Sequence, residues 1–116
     1  MGRMPTTADA FNAVAEPRRR EILDLLAGGE RPVNDLVAMT GLGQPQVSKH
    51  LRVLREVGAV RVRDEGRRRL YRLDPEALRP IFDWVSPYQR LWEERFEHLD
   101  DVLEDLKRKE EDDDNR

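Results

Sequence analysis

Between Val33 and Leu73 two short amphipathic segments flank a glycine-rich turn, and two arginine-rich alternating segments follow at once. This run restricts the fold more than any other. Val33–Met39 places Val33, Leu36 and Val37 on one side. Thr40-Gly41-Leu42-Gly43 is the turn. Pro45–Val57 follows, with Pro45 suited to a first helical turn and Val47, Leu51 and Leu54 at i, i+4, i+7 on one helical face. Gly58 stands where a helix cap is expected. Val60-Arg61-Val62-Arg63 alternates, Asp64-Glu65-Gly66-Arg67 has hairpin-turn composition, and Arg69–Leu73 returns with Tyr71 and Leu73 on one face.

A helix pair joined through a glycine-containing turn and followed by a basic hairpin is the pattern of a winged helix-turn-helix. Upstream, Thr7–Ala15 reads as a short helix showing Phe11 and Val14. Glu16-Pro17 breaks it, and Arg18–Ala27 follows up to a left-handed cap at Gly28-Gly29. Downstream, Asp74-Pro75 opens a helix to about Val85. Ser86-Pro87 then supplies a cap and first-turn proline for a separate helix to about Lys107. The expected class is mainly α with a small β-hairpin. The expected division is a disordered start (1–6), a winged domain (7–85), a C-terminal dimerisation helix (86–108) and an acidic disordered tail (109–116).

The chain has 116 residues and 39% charged content with a net charge of only −3. That total conceals a segregation. Pro45 to Arg72 holds nine basic and three acidic residues, while Glu93 to Arg116 holds twelve acids and five bases. Salt screens charges beyond roughly 10 Å, so the local field decides what each segment can meet. The basic middle suits a polyanion. Hydrophobic content of 38% is low for a core completed within one chain, which favours oligomerisation. There is no cysteine, so disulfides, thiolate metal sites and thiol switches are excluded. No apolar run spans a membrane and no secretory signal is visible, which makes the cytoplasm the expected location.

The second helix of such a motif presents its N-terminal residues to base edges in the major groove. Gln44, Gln46, Ser48 and Lys49 lie there, off the apolar face, and are of types that hydrogen-bond bases. A solvated helix face is the alternative. On the hairpin, Arg61, Arg63, Arg67, Arg68, Arg69 and Arg72 repel one another, and a polyphosphate partner relieves that repulsion. Tyr71 and Leu73 pack inward in one reading; a base-stacking tyrosine is the other.

The run from Gln44 to Leu51 (Gln-Pro-Gln-Val-Ser-Lys-His-Leu), then Leu54, Gly58, Val60 and Gly66–Leu73, resembles the signature of the ArsR/SmtB-type bacterial repressors. Ala15–Leu23 is similar to that family's second-helix start, and the likeness covers roughly residues 8–78. It implies a homodimer with one recognition helix per half-site of a palindromic operator, acting mainly as a repressor. It puts Gln44, Gln46, Ser48 and Lys49 near bases, and Arg52 with the wing arginines Arg61, Arg63, Arg67, Arg68 and Arg69 near phosphate. His50 either touches phosphate or hydrogen-bonds within the motif. Pro45 departs from the small hydroxyl residue often found there, so one polar contact is missing.

Many members of that family sense metals. Here the Val33-Asn34-Asp35 helix lacks a cysteine pair, and the last helix offers only His98, with Glu94, Asp101 and Asp105 nearby, so no metal or other cofactor is expected. Pro87–Phe96 resembles a metal-independent branch, whose effectors are often unknown. Trp92, Phe96, Leu99, Leu103 and Leu106 are spaced 4-3-4-3, a continuous apolar seam. With Phe11 and Val14 it is the expected dimer interface; packing on its own core is the alternative. Trp84, Tyr88 and Trp92 suggest either core packing or an aromatic effector pocket. Catalysis has little to draw on: no cysteine, two histidines in separate elements and no phosphate-cradling loop. A winged helix that binds only protein would lack the basic wing.

Overall fold

The computed structural model describes residues 9–114, so the 1–6 segment and the first residues of the predicted Thr7–Ala15 helix lie outside the described residues. Helix α1 spans Ala10–Ala15 and α2 Pro17–Ala27. Asp9 caps α1, its Oδ1 accepting from the Asn12 amide at 2.7 Å. Pro17 starts α2, where its missing N–H costs nothing, and Glu16 Oε1 accepts the Arg18 amide at 3.1 Å. The carbonyls left open at the end of α1 are taken by side chains of α2. Arg19 Nε donates to Ala13 O and Arg20 Nη1 to Val14 O, both at 2.7 Å. At the end of α2 the cap Gly28 is right-handed, and the positive φ expected there falls on Gly29.

Strand β1 (Arg31–Pro32) leads directly into α3 (Val33–Thr40). The turn after α3 is built by one side chain and one glycine. The Thr40 hydroxyl donates to Leu36 O at 2.7 Å and accepts the Leu42 amide at 3.2 Å. Gly41 turns left-handed with φ 77°, a conformation costly for any residue with a Cβ. Helix α4 (Gln44–Glu56) starts there, capped at Gly43. Val47, Leu51 and Leu54 of α4 join Ile22, Leu23 and Leu26 of α2 and Leu36 of α3 in one core, closed by Ala59, Val60 and Tyr71. Tyr71 therefore packs inward rather than standing free to stack on a base.

Strands β2 (Val60–Glu65) and β3 (Arg68–Leu73) pair antiparallel and run longer than the pattern suggests. Glu65 pairs with Arg68, so Gly66-Arg67 alone make the turn. Gly66 has φ 62° and Arg67 is not left-handed, the glycine-first pattern of a two-residue hairpin. The sheet is not just a hairpin: β1 pairs with β3 and the order is β1-β3-β2. Two residues paired across some forty positions of sequence leave no local signal, which is why β1 is invisible in the pattern.

After β3 the expected helix is instead a 3₁₀ turn, Pro75–Leu78, and then a long helix α5, Arg79–Asp114. The predicted break at Ser86-Pro87 does not occur. Pro87 sits inside the helix, and the Asp83 carbonyl it leaves without an amide accepts from the Ser86 hydroxyl at 3.4 Å. The helix also continues through Asp114, where the acidic run predicts a disordered tail. Glu104, Lys107, Arg108 and Glu111 share one stripe carrying both signs there, and Arg108 pairs with Asp105 at 2.6 Å. Residues to Ile81 form one compact unit and those from Phe82 a second.

Candidate nucleic-acid interface

The apolar face of α4 holds the helix on the core, so the opposite face is presented outward. Gln44, Gln46, Ser48, Lys49 and Arg52 are all exposed. Gln46 has a structural task as well: its Oε1 accepts the Gly43 amide at 3.0 Å. This is half of a capping box, since glycine has no side chain to reciprocate. His50 is half-buried, and its Nδ1 has no hydrogen-bond partner among the described residues. Burial, then the charges of Arg19, Lys49 and Arg18, lower its pKa below the usual value, and Glu16 opposes them.

A groove of about 610 Å³ lies beside the start of α4. Gln44 and Ser48 line it from α4, and Asn34 and Asp35 from the first turn of α3. Arg67, Arg68 and Arg69 reach it from the hairpin. Two of the four base-reading candidates, Gln44 and Ser48, thus face one space with the tip of the wing, although some twenty residues of sequence separate them.

The wing arginines are not equivalent. Arg61 Nε meets Asp74 Oδ2 at 2.6 Å. Arg63 donates twice to Glu30, from Nε at 2.8 Å and Nη2 at 2.9 Å, and Nη2 also meets Glu65 at 2.9 Å. These contacts lower the pKa of Glu30, chiefly through the Arg63 hydrogen bond, and that of Asp74, chiefly through the Arg61 hydrogen bond. Arg69 lies 3.5 Å from Asp64, while Arg52, Arg67 and Arg68 form no ion pair among the described residues. The repulsion expected on the hairpin is therefore partly relieved within the chain. Glu30 and Asp74 lie outside the basic segment in sequence, and only the fold brings them to it.

In α5 the seam is exposed along its length: Trp92 at 48%, Phe96 at 65%, Leu99 at 51%, and Leu103 and Leu106 each at 54%. Phe82, Trp84, Tyr88, Leu91 and Val102 add to the exposed apolar surface. Trp84 and Tyr88 meet edge-on at 5.8 Å and are both exposed, so core packing does not describe them. Phe11 is exposed too, but Val14 is half-buried and packs on the core of its own chain. His98 shares a shallow surface with Glu94, Arg95, Leu99 and Val102. Among the described residues no three His, Asp or Glu side chains are grouped to hold a metal ion. No helix among them is long and apolar enough to cross a membrane.

Comparison with known proteins gives a consistent result. Residues 16–62 match the model of the bacterial regulatory protein, arsR family. The chain is 30% identical over 77 residues to the transcriptional repressor SdpR of Bacillus subtilis (strain 168), covering 66% of this chain and 86% of that protein. The likeness covers less of other curated relatives: 37% of one and 64% of another. A crystal structure described as a possible transcriptional regulator for arsenical resistance shares 43% identity at TM-score 0.62, over 74% of this chain and 95% of that one. The solution structure of the homodimeric winged helix-turn-helix DNA-binding domain (fragment 1–100) of Mb0332 from Mycobacterium bovis shares 39% identity at TM-score 0.57, over 76% and 79%.

Proposed function

The chain belongs to the arsR family of bacterial regulatory proteins, and on that premise we propose that it is a homodimeric transcriptional repressor that binds a palindromic operator through α4 and the wing. The observation that carries this reading is the shared groove. Gln44 and Ser48 at the start of α4 face the same space as Arg67, Arg68 and Arg69. A recognition helix needs hydrogen-bonding side chains at its N-terminal end, and phosphate contacts from a second element to fix its register.

In this reading Gln44, Ser48 and Lys49 read base edges. Gln46 contributes its amide nitrogen, since its oxygen is committed to the Gly43 cap. Arg52, Arg67, Arg68 and Arg69 meet phosphate, and His50 lies near the backbone they follow. Dimerisation uses the exposed seam of α5 from Trp92 to Leu106 together with Phe11. A two-fold dimer matches a two-fold operator. Repression follows most simply from occluding polymerase. Such a regulator works in the cytoplasm, needs no cofactor for binding and catalyses no reaction. Occupancy is set by affinity and concentration, or by an effector.

The test is binding to a labelled duplex from upstream of the protein's own gene, across a salt series and with random duplex as competitor. Competitor-resistant binding by a dimer, with log affinity falling linearly against log salt, is the expected result. Failure to bind any duplex at low salt, including duplexes selected from a random pool, would refute the reading.

A further inference from the structure

The β2–β3 register sorts the hairpin into two faces. Val60, Val62 and Asp64 oppose Leu73, Tyr71 and Arg69 on the face that includes the core residues Val60 and Tyr71. Arg61, Arg63 and Glu65 oppose Arg72, Leu70 and Arg68 on the other. On this second face Leu70 is only 4% exposed, although it lies outside the core cluster. Its direct neighbours across the two ladders are Arg63 on β2 and Pro32 on β1. Glu30, the residue before β1, reaches across the central strand to hold Arg63 by two hydrogen bonds.

Arg63 thus already has two carboxylate partners, Glu30 and Glu65. To bind phosphate it would have to exchange one anion for another. Such an exchange gains little from counterion release, which arises when a free cation neutralises DNA. The tip residues Arg67 and Arg68 carry no such partner among the described residues.

We infer that Glu30 and Arg63 form a clamp that fixes the wing against β1, so that Arg63 is a positioning residue and not a phosphate ligand. The clamp ties all three strands together on the face away from the core, where β1 alone contributes only two paired residues. It aims the tip arginines at the groove beside α4. This inference rests on the reading that the wing meets DNA.

The two roles give opposite signs in one experiment. The probe is a duplex selected from a random pool by the wild-type protein, titrated over a salt series. Glu30→Gln and Arg63→Gln should each weaken binding by about two- to fivefold, the scale of an exposed ion pair, with the salt slope unchanged. The double variant should be no weaker than either single variant. The charge-swapped pair Glu30→Arg with Arg63→Glu should restore affinity, and it also decides the matter if a single variant fails to fold.

If Arg63 were a phosphate ligand held back by Glu30, Glu30→Gln would tighten binding and steepen the slope by about one. Arg63→Gln would then flatten it by about one, and the swap would not rescue. Either that pattern or unchanged binding in every variant overturns the clamp. Arg67→Ala with Arg68→Ala serves as the control and should flatten the slope by about two. If it leaves slope and affinity unchanged, the wing reading itself fails, and the functional role of the clamp with it.

Discussion

His50 sits on α4 with its Nδ1 buried and without a hydrogen-bond partner among the described residues, facing Arg19, Arg18 and Lys49 as well as Glu16. Burial and the three cations make its charged form costly in the fold, and Glu16 offsets this only in part. The folded pKa therefore lies below the unfolded value, so the unfolded chain takes up the proton more readily. The associated stability is complete above the usual histidine value, near pH 6.5, and is lost as pH falls through the lower folded value. The melting temperature should therefore decline as pH falls below about 7, and His50→Gln should remove part of that decline. Parallel profiles for the two proteins would show that this imidazole is not coupled to folding. Glu30 and Asp74 act in the opposite range: their lowered pKa values contribute stability that is lost only in stronger acid. Which side chains of α4 point outward could be read from sequence, because amphipathic spacing alone decides it. Asp74 and Glu30, which pair with Arg61 and Arg63, could not, because only strand pairing brings them there.

At the scale of elements, local instruction and local structure agree best in α4. Its apolar spacing, first-turn proline and flanking glycines all call for one helix, and its buried face is the centre of the core. Leu54 is fully buried there, so Leu54→Ala should cost about 2–5 kcal/mol in urea unfolding, through lost transfer energy and the cavity left behind. A loss below about 1 kcal/mol would mean that the site collapses around the smaller residue. The long C-terminal helix shows the reverse. A serine followed by proline is a sound helix start in isolation, yet the same serine can donate its hydroxyl to the carbonyl the proline leaves open. One dipeptide thus supports two structures, and the pattern alone does not choose between them. Strand β1 fails to announce itself for another reason: its pairing is entirely with residues far along the chain.

For the whole molecule, the exposed seam of α5 is a run of large apolar side chains in water, the kind of surface that marks an interaction site. A second copy covering it would explain both the seam and the modest hydrophobic content. Phe96→Glu with Leu103→Glu should shift sedimentation from dimer to monomer and reduce operator affinity at least tenfold, because one half-site then binds alone. A variant that remains dimeric would move the interface elsewhere. Whatever joins two copies, the sheet is poorly suited to do it. One of its edges is β1, where Pro32 has no amide hydrogen to offer a further strand. The other is β2, where Arg61, Arg63, Asp64 and Glu65 crowd the border with charge. A small sheet carrying a sticky helix is at risk of stacking into fibrils at high concentration. Here both margins are closed to strand addition, so the sheet offers no edge along which further copies could stack.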